Sequence, residues 1–174
     1  PPGGDYFMLS STDRNERQLA VEWTIRSIEN ANDIEAVAVV LHCGAVAMTP
    51  YHEAVYRRFQ AEGSNPEAMQ KLVLKEMQRR GQHVAPHLDA LLFSLDRLLP
   101  VAQKYGVVIG LENRYHYFEI PNADELNVIF KEFDGAPVGY WHDTGHAHAQ
   151  EQLGIVSQAQ LLADHGHRLA GLHL

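Results

Sequence analysis

Cysteine is almost missing from this sequence. Cys43 stands alone, so no internal disulfide can form and the fold must rest on its core and its hydrogen bonds. A reducing, cytoplasmic setting is the expectation. Long apolar runs are missing too, since no stretch nears the roughly 18 consecutive apolar residues of a membrane span. Positive charge is scarce: Lys and Arg number 14 against 22 Asp and Glu, a formal net charge of −8. That counts against a generic nucleic-acid-binding surface. No glycine-rich phosphate loop follows the first strand-like run, which argues against a dinucleotide fold. The first residues, Pro1-Pro2-Gly3-Gly4, carry no signal-peptide pattern, and the last ones stop inside a strand-like run. Both ends read as cut, so the expectation is a piece of a longer chain.

Histidine, by contrast, is plentiful, with 11 in 174 residues. Three of them fall with a carboxylate in the stretch Trp141-His142-Asp143-Thr144-Gly145-His146-Ala147-His148. Around that stretch, short apolar runs alternate with helical patterns. Strands are expected over 5–9, 36–41, 107–111, 137–140 and 169–174. Helices are expected over 14–32, 51–60, 66–80, 87–104, 123–133 and 158–165, with Ser10 to Asp13, Asn65 and Asn122 as N-caps and Pro100 bending its helix rather than ending it. About five short apolar strands alternating with helices predict a parallel α/β fold in one domain. About 65 residues separate the second and third strands. That exceeds a minimal crossover, so a helical insertion at about 45–85 is expected near the site. Its Arg57, Arg58, Arg79 and Arg80 are expected mainly as solvated helix faces, with an anionic substrate as the other reading.

The polar candidates all stand at carboxyl ends of strands: His42, Glu112, Asp143 with His146, and His173. Sites of parallel α/β folds gather at that edge. Glu112 follows five apolar residues, where a carboxylate is costly unless paired or metal-bound. A mixed set of carboxylates and imidazoles suits Mn, Zn or Co, and Mg less well. Such an ion polarises a carbonyl or generates a hydroxide, while spare carboxylates and histidines move protons. A Cys43–His42 nucleophile is the rival, weakened because adjacent strand residues point to opposite faces. His142 is expected to point away from the site for the same reason, and His148 to lie on the surface. Tyr115 and the aromatics after it can line a pocket or pack against a neighbouring loop.

The succession VVLHCG (39–44), GLENR (110–114), HDTGHAHA (142–149) and AGLHL (170–174) resembles the xylose-isomerase-like TIM barrels, a superfamily of sugar isomerases and epimerases that also holds endonuclease IV. The resemblance implies a (β/α)8 barrel of which this chain covers roughly strands three to seven. It implies Glu112, Asp143 and His173 as metal ligands. His146 is a further ligand in the nuclease branch, and a substrate contact or supporting residue in the epimerase branch. His42 matches a zinc-binding strand-end histidine of the nuclease branch. Apart from the resemblance, His42, Arg114, Trp141 and Tyr115 are the expected substrate contacts. Two departures bear on the branches. Ser10-Ser11-Thr12 stands where the nuclease pattern has another histidine, and the second metal-binding glutamate of the epimerases would lie beyond Leu174. The expected function is a metal-dependent sugar or sugar-phosphate isomerase or epimerase, with Glu112 and His146 handling protons on a small sugar or polyol. The alternatives are an endonuclease IV-like phosphodiester hydrolase and a barrel that binds sugar or metal without turnover. No membrane partner is expected, and a homo-oligomer is compatible with the sequence.

Overall fold

The computed structural model describes residues 6–48, 52–63 and 65–174. Four strands form one parallel sheet in the order β1-β2-β3-β4: β1 Ala38–Leu41, β2 Val108–Glu112, β3 Val138–Asp143 and β4 Leu169–His173. Spatial order equals chain order, so each crossover returns beside its predecessor, as in a barrel wall. The helices are α1 Arg14–Asp33, α2 His52–Glu62, α3 Pro66–His83, α4 Ala85–Tyr105, α5 Ala123–Glu132, α6 Thr144–Gln152 and α7 Gln158–His165.

Local chemistry sets the boundaries. Asp13 accepts from the backbone N–H of Asn15 and Glu16 and so starts α1. Asn65 caps α3 through Ala68 N, with Pro66 at the first position, where its missing N–H costs nothing. Asn122 and Glu125 form a reciprocal capping box at α5. Helix α4 runs through Pro100 to Tyr105 and stops at Gly106, whose φ of +68° suits glycine.

Two expectations fail. Residues 6–9 are not a strand, and residue 5 lies outside the described residues. The backbone of this segment is used in a turn: Ser11 N donates to Met8 O at 3.1 Å, and Met8 N donates to Glu16 Oε1 at 3.0 Å. Leu9 is buried all the same. Four strands are thus present among the described residues rather than five. In addition, β3 runs on to Asp143 instead of ending at Tyr140, because Trp141, His142 and Asp143 pair with Gly171, Leu172 and His173 of β4.

The two sides of the sheet differ. Against one side, Ile28 of α1, Leu91, Leu95 and Leu98 of α4 and Ile129 of α5 join Ile109, Leu111 and Tyr140 in the main core. Each such side chain contributes roughly 1.5–3 kcal/mol on burial. On the other side Trp141 lies across its neighbours. A Cβ on Gly110 would come within 2.9 Å of its ring, and one on Gly171 within 2.3 Å. Glycine at both positions is what lets the indole lie there. A smaller cluster of Val55, Phe59, Leu72, Val73 and Tyr117 holds α2 and α3 to the loop after β2. No helix of the described residues is long and apolar enough to cross a membrane.

Candidate metal centre

Glu112 ends β2 and is 1% exposed. A carboxylate so buried needs partners, and several converge on it. Its Oε1 lies 2.7 Å from His173 Nδ1. Its Oε2 accepts from Arg114 Nη1 at 2.6 Å and lies 3.0 Å from His42 Nε2. Burial pushes the Glu112 carboxyl up, but the hydrogen bonds from His42 and His173 and the charges of His42 and His146 outweigh it. The net result lies below the ordinary carboxylate range, and Glu112 is ionised at neutral pH.

Asp143 ends β3 and also caps α6. Its Oδ1 accepts from His146 N at 2.7 Å, while Oδ2 lies 3.4 Å from His173 Nδ1. Glu112, Asp143 and His173 each offer a ligand atom, and the three atoms lie within 4.8 Å of one another. Two donors about 2.1 Å from one ion stand about 3.0–3.4 Å apart at octahedral or tetrahedral angles. The separations of 2.7 Å and 3.4 Å around His173 Nδ1 come close to that range. A set of two carboxylates and one imidazole, with one carboxylate ionised and buried, fits a borderline divalent cation.

His146 sits on the first turn of α6. Its Nδ1 lies 2.9 Å from Asn113 O, so the Nδ1–H donates and Nε2 is left as the acceptor. The same nitrogen lies 3.7 Å from Glu112 Oε2. His42 is over a third exposed beside Glu112. Trp141 borders the set, its ring centre 5.3 Å from that of His173. Tyr115 is half-exposed with its ring 5.9 Å from His146.

Other candidates lie elsewhere. His142 is buried on the core side, its Nδ1 2.7 Å from Tyr140 OH, and burial lowers its pKa. His148 is exposed on α6. Cys43 is wholly buried and its thiol is pushed up to about 12, so it is no nucleophile at neutral pH. Arg114 is 5% exposed, and its Nη2 donates to Glu119 Oε1 at 2.8 Å. It grips Glu112 and Glu119. Arg80 is not a solvated residue either: it is 2% exposed, and its Nη2 donates to Glu125 Oε2 at 2.8 Å and to Glu119 O at 2.7 Å. Arg79 reaches Glu76 at 2.6 Å. Arg57 and Arg58 are exposed.

Sequence reasoning passed over Glu119, and it took Asn113 as part of the GLENR motif without giving it a role. Glu119 links Arg114 to the backbone N–H of His116, at 2.7 Å. His116 in turn hydrogen-bonds Tyr56 of α2. Asn113 holds the backbone of Asp143. The one signal for either was position: a polar pair, Asn113-Arg114, directly after a buried strand must find partners.

Solved structures share this architecture. The 3-keto-D-glucoside 4-epimerase from E. coli, in its apo form, is 16% identical with a TM-score of 0.67, over 98% of this chain and 56% of that one. A D-tagatose 3-epimerase-like protein is 20% identical with a TM-score of 0.60, over 97% and 52%. The D-allulose 3-epimerase from Methylomonas sp. in complex with D-allulose is 14% identical with a TM-score of 0.63, over 99% and 48%. At such identities the likeness speaks for the fold. The chain spans about half the length of these proteins. No curated protein sequence matches significantly. The family described as xylose isomerase-like TIM barrel matches residues 1–174, so the chain belongs to that family and its sheet is part of a (β/α)8 barrel.

Proposed function

We propose that the chain is the metal-binding part of a sugar or sugar-phosphate isomerase or epimerase. The observation that carries this reading is the convergence of Glu112, Asp143 and His173 from three adjacent strands. Glu112 Oε1, Asp143 Oδ2 and His173 Nδ1 are the atoms that would hold Mn, Zn or Co. When bound, such an ion polarises the carbonyl of a keto sugar and acidifies the neighbouring C–H.

The residues of the chain do the rest. Glu112 is ionised, and it takes the proton from the carbon next to the carbonyl. His42 is the partner of Glu112 that an incoming hydroxyl displaces, since it is more than a third exposed. Arg114 stays in place and fixes the carboxylate plane. His146 offers Nε2 as a hydrogen-bond acceptor to the substrate. Trp141 and Tyr115 give apolar faces to the C–H surface of a small sugar or polyol. Helices α2 and α3, the insertion between β1 and α4, pack with Tyr117 of the loop after β2, beside this edge. A cytoplasmic location suits the lone, buried Cys43.

The test has two stages. Isothermal titration with Mn, Zn and Co is expected to give one ion per chain. The metal-loaded protein, incubated with a panel of keto sugars in deuterated water, is expected to exchange the proton next to the carbonyl of at least one. Absence of metal binding, or binding with no exchange on any sugar of the panel, would count against the reading.

A further inference from the structure

The β2–β3 ladder ends at the pair Glu112↔Trp141, yet β3 runs two residues further, to Asp143. On its far side Asp143 is held by β4, opposite His173. On the near side the β2 ladder has ended, and among the described residues no backbone group pairs with Asp143 there. Asn113, 5% exposed, fills that place with its side chain. Its backbone N donates to Trp141 O at 3.2 Å. Its Oδ1 accepts from Asp143 N at 2.8 Å, and its Nδ2 donates to Asp143 O at 2.9 Å. One amide thus holds both main-chain polar groups of a candidate ligand residue. It does so from the position directly after another candidate ligand, Glu112.

The amide can sit only one way round. Turned over, its NH2 would face the Asp143 N–H and its oxygen the Asp143 carbonyl, two repulsive contacts in place of two bonds. Tyr140 reinforces this orientation. Its hydroxyl lies 3.1 Å from Asn113 Oδ1 and 2.7 Å from His142 Nδ1. His142 Nδ1–H donates to the Tyr140 oxygen, and the Tyr140 hydroxyl donates to Asn113 Oδ1. All three side chains are buried.

We infer that Asn113 is a positioning residue for Asp143, and that Tyr140 fixes the amide that does the positioning; the inference rests on the metal-site reading above. Asp143 has one oxygen committed to the cap of α6 and one facing His173. Its carboxylate cannot search for a ligand geometry by rotating freely. The backbone must already be right, and the Asn113 amide sets it. Outer partners of metal ligands act in this way.

The test uses Co(II) as the probe, with affinity read by isothermal titration and apo-protein stability by thermal unfolding. Asn113→Ala is expected to weaken Co(II) binding by about 10–100-fold. Tyr140→Phe keeps the ring packing and is expected to weaken it about 2–10-fold, the share of one hydrogen bond. Tyr140→Phe keeps the inference testable if Asn113→Ala does not fold. The comparison variant is Leu98→Ala, a core change remote from the strand ends, which is expected to lower the unfolding temperature while binding Co(II) like the parent. Parent-like affinity in both site variants would overturn the inference and leave the metal reading standing. So would a loss in Leu98→Ala as large as that in Asn113→Ala. No Co(II) binding by the parent would overturn both.

Discussion

Behind the sheet, Leu91, Leu95 and Leu98 of α4 pack on Ile109 and Leu111, and all five are at 0% exposure. At the carboxyl ends Glu112 and Arg114 are nearly as deep, at 1% and 5%, and both are charged. The wall side chains need only volume and shape, so each contributes by leaving water. The strand-end charges lose hydration by the same burial. They are tolerable only because each is paired: Glu112 with Arg114 two residues on and with His42 and His173 from other strand ends, and Arg114 also with Glu119 five residues on. The wall therefore stores stability, while the strand ends hold groups in place at a cost in stability, which is the arrangement expected of a binding site.

The sharpest way to break this contrast is Arg114→Ala. It removes one guanidinium and leaves two carboxylates, Glu112 and Glu119, without it. Stripping one partner from a buried pair costs about 3–5 kcal/mol. Urea denaturation of the metal-free variant is expected to show a loss of that order, and a loss below about 1 kcal/mol would mean that the strand-end charges are not as dependent on pairing as their burial implies. Leu98→Ala comes next, at about 2–5 kcal/mol from lost transfer energy and the cavity left behind. It is expected to leave metal affinity unchanged, whereas Arg114→Ala should disturb both properties. Glu112→Gln inverts the pattern of Leu98→Ala. The amide keeps the shape and can still accept from Arg114 and His42, and Arg114 keeps its pair with Glu119, so the unfolding midpoint should fall less than in Arg114→Ala. Metal affinity should fall at least about 100-fold, the upper end of what an outer partner costs. A variant that keeps both metal and turnover would remove Glu112 from the site.

Most of the architecture could be read from periodicity. The apolar runs 36–41 and 107–111 are strands with side chains in the main core, whereas 169–174 is a strand through its pairing with β3, with Leu169 and Leu172 still exposed. The run at 5–9 looked the same by composition. It fails because Glu16, eight residues on, captures Met8 N, and the chain turns instead of pairing. That capture depends on where α1 places Glu16, which no local window shows. The candidate ligands were legible for a different reason: a carboxylate or imidazole at the end of an apolar strand is anomalous unless it has a task. The holders were not. Asn113 and Glu119 make ordinary loop polarity in sequence, and their work appears only when β3 overruns β2 and Arg114 folds back. Arg80 is the converse case. Its place beside Arg79 reads as a solvated face, yet Glu125, 45 residues on, draws it inside.

The smallest expected effect tests the contrast from behind the wall. His165 is a buried polar residue on the apolar side, at 0% exposure, with its ring packed against Phe130 and Tyr140. Neither ring nitrogen finds a side-chain or backbone partner at normal hydrogen-bond geometry among the described residues. Burial is the main cause holding its pKa below the usual histidine value, with His167 adding to the effect and Asp164 and the Ala123 backbone opposing it. The folded state therefore keeps His165 neutral where the unfolded chain, with a value near about 6.5, has begun to bind a proton. Between the two values the unfolded state holds more protons, so stability rises with pH there. The contribution is fully present above the unfolded value, is lost as pH falls toward the folded value, and is flat below it. Denaturation midpoints of the metal-free protein between neutral and mildly acidic pH should fall accordingly. His165→Leu, which suits the apolar surroundings, should fall less over the same window. Equal falls in the two proteins would place the acid sensitivity elsewhere, and His165 would then behave like its apolar neighbours rather than like a charge kept out of the wall.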